Sequence, residues 1–313
     1  MTRLDVVAVG ELNPDLILGG ISGPPRLGRE ILVEQCAFTL GSSTALCTAN
    51  LAALGLSAGI VGKVGQDAFG EFVVRCLDQR GIDTSHVIRD AAVRTGVTVS
   101  LAYPEDRAML TFAGAMAQLT TAEVDPEYIA SARHLHISSL FLQRALQTGC
   151  ADLLRQAKAR GVTISLDPGW DPAETWDAGI EGLYNLLDIL FVNRVEAVAL
   201  GRHPDWRRAA DRLARRNLVL VVKGGPDGAS AIQDGHWEER PGFRVDAVDP
   251  TGAGDAFNAG FLFGHLSGWP RATCLTWGNA CGALTVGQAG GSGAFAGRED
   301  VERFIRSRAG AGV

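Results

Sequence analysis

The 313-residue chain has no Gly-x-x-x-x-Gly-Lys-Ser/Thr loop, so the P-loop is excluded as its phosphate-binding device. It has no Cys-x-x-Cys pair either: Cys36, Cys47, Cys76, Cys150, Cys274 and Cys281 are scattered, which argues against zinc and against a disulfide framework. Cys47 and Cys281 lie in apolar surroundings and read as small buried hydrophobes. There is no basic surplus. Lys and Arg total 29 against 35 Asp and Glu, a net charge of −6 that would repel nucleic acid. The one basic cluster (Arg202, Arg207, Arg208, Arg212, Arg215, Arg216) is interleaved with Ala209, Leu213 and Leu218 as on the solvated face of a helix. No apolar run is long enough to span a bilayer, Leu218 to Val222 being typical. Polar Met1 to Asp5, followed by the short run Val6 to Val9, does not read as a secretory leader, so none is expected. The expectation is a cytoplasmic protein with no nucleic-acid and no membrane partner. No internal repeat and no low-complexity linker interrupts the chain.

What the chain does have is alternation. Hydrophobic residues at 46% and charged residues at 20% describe an ordinary globule, near the upper length for one core, so one large domain with an appended piece is expected. Val6 to Val9, Ala58 to Val64, His134 to Ser138, Thr163 to Asp167, Ile189 to Val192 and Val219 to Val222 are short runs, mostly apolar on both faces. They predict parallel strands covered by helices on both sides. Between them lie helical patterns at Ala45 to Leu54, Ala68 to Arg80 and Leu142 to Arg160, stopped by Gly55, Gly81 and Gly161, with a further helix at Thr273 to Val286. Asp67 is placed to cap the second of them. Residues 15–39 and 94–112 break the rhythm with short strands and turns and predict a small β lid over the strand ends. His134 and His136 share one strand face, and with no third ligand nearby they read as structural.

The most informative stretch is Asp249 to Leu262, Asp-Pro-Thr-Gly-Ala-Gly-Asp-Ala-Phe-Asn-Ala-Gly-Phe-Leu. It predicts a strand at Arg244 to Val248, a glycine turn, and then a helix. Gly252, Ala253 and Gly254 leave amides uncovered at a helix N-terminus, which is an anion site. Asp255 beside that site would repel a resident anion, but suits a transferred one: the amides hold negative charge while the carboxylate takes a proton from the attacking hydroxyl. The plainer reading is a glycine turn with Asp255 favouring the first helical turn.

Asp249 to Asp255 resembles the C-terminal signature of the ribokinase-like (PfkB-type) carbohydrate kinases, and ordered matches recur through most of the chain. They are Gly10-Glu11-Leu12-Asn13-Pro14-Asp15, Gly62 to Gly70, Asn193-Arg194-Val195-Glu196 and Lys223 to Gly228. The resemblance implies a ribokinase-like α/β three-layer sandwich over residues 1–313, with a mostly parallel central sheet flanked by helices and a small β lid. It implies an ATP- and Mg2+-dependent kinase transferring the γ-phosphate to a primary hydroxyl of a small carbohydrate, with Asp255 as base and Gly252, Ala253 and Gly254 as anion hole. Lys223, Gly225, Gly228, Asn193, Thr251 and Asn279 would bind the nucleotide. Asn193 and Glu196 would serve the metal through water, or pair as a capping box, or both. Asn13, Asp15 and Gly41 would hold the acceptor; without the resemblance Asp15 is equally a turn residue after Pro14, and Asn279 a helix-surface polar residue. A monovalent-cation (K+) loop between Thr251 and Gly290 and a homodimer through the lid are also implied, with no cation ligands assigned.

The acceptor motif departs from that pattern: Ser42 stands where a second glycine is usual and Leu46 where a sugar-contacting asparagine is usual. Reaction type is therefore better specified than substrate. The alternatives are a nucleoside kinase of the same fold and a catalytically silent sugar- or nucleotide-binding sensor, which would have no need to keep Asp255. A Rossmann-type dehydrogenase is disfavoured, because the first strand is followed by one glycine only and Gly291 to Ala296, which formally fits the dinucleotide fingerprint, lies too near the end for a βαβ unit.

Overall fold

A computed structural model describes residues 3–103, 107–287, 295 and 297–309. Its strands are β1 (Leu4–Val9), β2 (Pro14–Gly19), β3 (Gln35–Leu40), β4 (Ala58–Gly65), β5 (Val87–Asp90), β6 (Val97–Ala102), β7 (Arg107–Phe112), β8 (Ala132–Ser138), β9 (Thr163–Asp167), β10 (Ile189–Asn193), β11 (Val219–Lys223), β12 (Ala229–Gln233) and β13 (His236–Arg240). Its α-helices are α1 (Ser43–Ala53), α2 (Ala68–Asp78), α3 (Pro126–Ala130), α4 (Arg144–Gln147), α5 (Cys150–Ala159), α6 (Arg194–Gly201), α7 (Trp206–Leu213), α8 (Ala253–Leu266), α9 (Arg271–Val286) and α10 (Arg298–Ala309).

The six apolar runs all became central strands. Among the described residues the large sheet has the order β13-β12-β11-β10-β9-β8-β1-β4-β5, parallel throughout except for β12 and β13 at one edge. Strand geometry sends successive side chains to opposite faces, and both faces are buried. Ile189, Phe191, Val219 and Val221 pack with Phe257, Phe261 and Leu262 of α8 and Leu275 of α9. Leu190, Val192, Leu220 and Val222 pack with Leu153 and Leu154 of α5, Ala197 of α6 and Leu213 of α7. Side chains such as Phe191 and Leu220, fully removed from water, each contribute about 1.5–3 kcal/mol. The expected lid is the second sheet, β3-β2-β6-β7, built from the two segments that broke the helical rhythm.

Local signals held at several helix ends. Gly55 and Gly81 adopt φ +97° and +70° just past α1 and α2, and Asp67 caps α2 through Gly70 N at 3.0 Å. Two expectations are corrected. The helix at Leu142 to Arg160 is split into α4 and α5 at Gly149, whose φ of +89° no helix continues through. Arg244 to Val248 forms no strand. No strand pairs with that segment, and the N–H groups of Val248 and Asp249 both donate to Val286 O (2.7 and 3.1 Å), tethering the segment to the end of α9.

His134 and His136 are fully buried in β8 and every ring nitrogen is engaged: Thr163 Oγ1 (2.8 Å) and Ser165 Oγ (2.7 Å) for His134, Ser165 Oγ (2.7 Å) and Ser138 Oγ (2.9 Å) for His136. Thr163 donates onward to Arg133 O at 3.2 Å, which fixes the direction of the ladder and makes both histidines Nδ1–H tautomers. Burial holds both below the ordinary histidine range, His136 at about 4. The basic helix is also used: Arg207 stacks over Trp206 and Trp237 and pairs with Glu239 at 2.6 Å. No helix among the described residues is long and apolar enough to cross a membrane.

Candidate active site

The parallel strands end at one rim, where ligands of open α/β sheets bind, and the lid meets the large sheet there. Asp15 is not in a turn after Pro14 but is the second residue of lid strand β2, paired with Thr39 and Thr98. Asn13 Nδ2 donates to Asp15 Oδ1 (3.1 Å). A Cβ added to Gly41 would lie 2.0 Å from the same oxygen, so only glycine admits the carboxylate. The three acceptor candidates are thus one constellation. Asp15 is 8% exposed; burial lifts its carboxyl to about 7, against the pull of Arg107 and with Glu11 and Asp249 adding to the rise. Arg107, at the start of β7, donates from Nη1 to Thr251 Oγ1 at 2.9 Å and lies 4.0 Å from Asp249 Oδ1.

Ser42 caps α1 with φ +71°, a left-handed conformation that costs a non-glycine residue strain. Its hydroxyl donates to Glu11 O and accepts from Ala45 N (3.0 Å). Leu46 is buried and offers no polar contact. The Glu11 carboxylate lies over the start of α1, accepting from Ser43 N (2.7 Å) and Thr44 Oγ1 (2.6 Å), which favours its charge against the desolvation that raises its pKa.

The candidate transfer centre is the start of α8. Gly252 turns the chain with φ +74° and caps the helix without a side chain. The Ala253 amide makes a long turn contact to Pro250 O (3.3 Å), and Ala256 N is the first to bond back, to Gly252 O. The intervening first-turn amides have no intrahelical acceptor. Asp255 sits in that turn. Desolvation, with Asp167 and Glu11 adding repulsion, lifts its carboxyl to about 7, against Lys223 and a Ser43 hydrogen bond. Lys223 reaches this centre from the end of β11: its Nζ would lie 3.4 Å from a Cβ on Gly254. Nζ pairs with Asp167 Oδ2 at 2.5 Å, and Asn258 Nδ2 donates to the same oxygen at 2.6 Å. Burial opposes the lysine charge, but Asp167 and Glu196 outweigh it and its pKa is raised. Lys223 therefore places a fixed positive charge beside the candidate anion hole.

Among the nucleotide and metal candidates, Asn193 and Glu196 form a reciprocal capping box on α6, Glu196 N to Asn193 Oδ1 at 2.9 Å and Asn193 N to Glu196 Oε2 at 2.8 Å. Burial and Asp167 raise the Glu196 carboxyl to about 7, with Lys223 opposing. Gly225 (φ +59°) and Gly228 (φ +96°) shape the turn after β11; a Cβ on Gly228 would strike Arg240 O at 2.1 Å. A cleft of about 310 Å³, lined in part by Gly224, Gly228, Arg194 and Arg240, opens beside it. Asn279 is a buried strut whose Nδ2 donates to Arg240 O and Pro241 O, both at 3.1 Å. Thr251 accepts from Arg107 rather than standing alone.

Glu11, Arg107, Asp167 and Asn258 were not singled out from the sequence. Asp167 had a usable signal, an acid closing an otherwise apolar strand at the ligand-binding rim; Asn258 lies one turn beyond Asp255 on the same helix face. Among the described residues no three His, Cys, Asp or Glu side chains form a metal cage. The donor set still suits Mg2+, which keeps most of its waters and takes few protein ligands. Glu11, Asp15, Asp255 and Glu196 all have pKa values raised first by burial, with neighbouring acids adding to the rise for the last three; a divalent ion bound nearby would favour their charged forms. Residues 288–290 of the expected cation loop, and all of the Gly291 to Ala296 fingerprint match except Phe295, lie outside the described residues.

A model of the pfkB family carbohydrate kinases matches residues 4–295. A 5-dehydro-2-deoxygluconokinase from Geobacillus thermodenitrificans is 30% identical, covering 97% of this chain and 93% of its own. An ATP-dependent ribose-1-phosphate kinase from Halopiger xanaduensis is 33% identical over 91% of this chain and 93% of its own. An E. coli protein described as a ribokinase II, solved in complex with ATP and Mg2+, superposes with a TM-score of 0.86 at 25% identity, covering 97% of this chain and 99% of its own.

Proposed function

The chain belongs to the PfkB family of carbohydrate kinases and is a sugar kinase, and from that premise we propose that it transfers the γ-phosphate of ATP to a primary hydroxyl with Asp255 as the general base. The observation that carries the reading is Asp255 in the first turn of α8, poised near neutrality, with first-turn amides and the Lys223 ammonium on its flank. As the acceptor oxygen bonds to the γ-phosphorus, Asp255 takes the hydroxyl proton; the bond to the β-γ bridging oxygen breaks and ADP leaves. The amides of Gly252 and Gly254 and the ammonium of Lys223 meet the charge on the transferred group. Asp167 and Asn258 keep Lys223 in place. Asp15, aligned by Asn13 and Gly41, accepts hydrogen bonds from acceptor hydroxyls.

Asn193 and Glu196 would hold Mg2+ through water, and an ion bound there would supply charge to offset that of the phosphates. Lys223 to Gly228 and Asn279 border the place for the nucleotide, and a monovalent cation (K+) held between Thr251 and Gly290 completes the reading. The reaction belongs in the cytoplasm. A lid-to-lid homodimer is supported by the apolar side chains that β3 and β7 leave exposed, Phe38, Met109, Leu110 and Phe112. The test is ATP consumption against a panel of sugars, sugar acids, sugar phosphates and nucleosides, led by 5-dehydro-2-deoxygluconate and ribose 1-phosphate, the acceptors that the relatives' names carry. Turnover with a carbohydrate, abolished without Mg2+, is expected; turnover with nucleosides alone would favour the nucleoside kinase.

A further inference from the structure

We propose that a cleft at the far end of α6 binds a small organic phosphate ester, with the phosphate on Arg202 and the ester's body against Trp176 and Tyr184. The cleft is separate from the rim, and its occupancy does not depend on the kinase reaction.

The cleft, of about 240 Å³, lies between the C-terminal ends of α6 and α7 and the short helical segment Ile180–Leu186 that leads into β10. Helix α6 starts at the rim, directly after Asn193, and runs away from it, so Arg202 stands about 13 Å down the helix axis from the metal candidates.

The cleft is built, and more than a packing seam. Tyr184 is only 3% exposed and lines it, yet no group among the described residues hydrogen-bonds to its hydroxyl. Buried hydroxyls are normally paired, so this one is left for a ligand. Burial pushes the phenol up to about 12, against the pull of Arg215 and Arg202, which keeps it a neutral donor. Trp176, on the opposite wall, has φ +55°, a costly conformation for a bulky residue. Buried Asp171 enforces it, accepting from Trp176 N (2.6 Å), Thr175 Oγ1 (3.0 Å) and Ala173 N (2.9 Å). Arg202 caps α6 with φ +50°, and its guanidinium has no ion-pair, hydrogen-bond or ring partner among the described residues.

Charge and size name the ligand class. Arg212 Nη1 donates to Gly201 O (3.5 Å) and Arg202 O (2.7 Å), so a cation already covers the helix end that would repel an anion. Arg215 lies over the Tyr184 ring at 5.5 Å. Two acids oppose them, both at the solvent edge: Asp177, which accepts from Gly179 N (3.4 Å), and Glu181, 3.9 Å from Arg215. The balance is positive, and a phosphate, with two charges and three acceptor oxygens, suits more than one guanidinium. The volume falls below the roughly 300–1,000 Å³ of drug-sized pockets, which fits a sugar phosphate or an aryl phosphate better than a nucleoside triphosphate. The competing reading is a packing seam in which Trp176 serves only Phe141 and Trp170, its edge-on neighbours.

Calorimetric titration of the whole protein with glucose 6-phosphate, phenyl phosphate and inorganic phosphate separates the readings. At least one ester should bind below about 1 mM and about fivefold or more tighter than inorganic phosphate; which ester binds tighter tells a sugar body from an aromatic one. Arg202→Gln should weaken that ester by about tenfold to a hundredfold, and Tyr184→Phe, which removes only the hydroxyl, by about three- to tenfold. Both variants should melt at or above the wild-type temperature, because neither polar group bonds within the protein. Asp15→Ala, at the rim, should leave this binding unchanged. No ester bound below about 10 mM, or unchanged affinity in either cleft variant, would overturn the proposal. Loss of binding in Asp15→Ala would place the ester at the rim and overturn it too. Esters held no tighter than inorganic phosphate would reduce the cleft to an anion contact and likewise refute it. All of these outcomes leave the kinase reading untouched.

Discussion

Adding one methyl group at Gly41 tests the acceptor constellation from its steric side. Gly41 is not among the positive-φ residues, so alanine is acceptable to the backbone. Its Cβ, however, would lie 2.0 Å from Asp15 Oδ1, 2.3 Å from Cγ and 2.8 Å from Oδ2. Asp15 must retreat by roughly 1 Å, and a misplacement of that size at a positioning group costs about 10²-fold. The retreat also breaks the 3.1 Å bond from Asn13. Two hydroxyl bonds to a carboxylate, at about 1.5–3 kcal/mol each, give a loss of the same order or larger. Steady-state kinetics of Gly41→Ala should therefore show acceptor KM raised about 10²-fold, with ATP KM unchanged and the melting temperature near wild type. In an Asp15→Ala background the same methyl group should have almost no further effect, because the atom it strikes is gone. An acceptor KM within twofold of wild type, or an ATP KM that rises in parallel, would refute the placement of Asp15 against the acceptor.

Glu196→Gln keeps an acceptor for Asn193 N, and so keeps the cap; the Mg2+ concentration for half-maximal rate should rise while stability holds, and an unchanged titration assigns the side chain to the cap alone. The folded pKa of Asp255 is raised to about 7 from 3.8, so the stability linked to its protonated form is fully present below pH 3.8 and lost as pH rises through about 7. Asp255→Asn, which mimics the protonated form, should melt close to wild type at pH 4 and above it at pH 8; the reverse order in a thermal scan would deny the buried, repelled carboxylate. For the same reason wild-type kcat should fall as pH drops below about 7.

The central strands were legible because a strand buried on both faces is mostly apolar, and the six runs were, their polar exceptions such as His134 and His136 being hydrogen-bonded within the sheet. The lid was legible as the absence of helical period. Arg244 to Val248 misled because its alternation suits a strand, yet pairing needs a free edge and the loop is instead drawn to Val286. The helix from Leu142 to Arg160 misled because Gly149 is a minor defect in a periodic pattern until Thr121, whose Oγ1 would lie 2.6 Å from a Cβ there, requires the turn. Asp255, Asp15 and Gly41 were legible from local motifs. Lys223 was legible as part of a loop, but its partner Asp167, 56 residues away, was not, since the pair exists only once β9 and β11 flank β10. Arg107 was invisible for the same reason: it belongs to the lid in sequence and to the crevice in space.

The claim at the centre is that Asp255 removes the acceptor proton, and single-turnover kinetics of Asp255→Asn with saturating ATP test it most directly. The amide preserves shape, so ATP should bind with the wild-type dissociation constant, while phosphoryl transfer slows by about 10² or more. Transfer at a near-normal rate, with ATP bound as in the wild type, would contradict it.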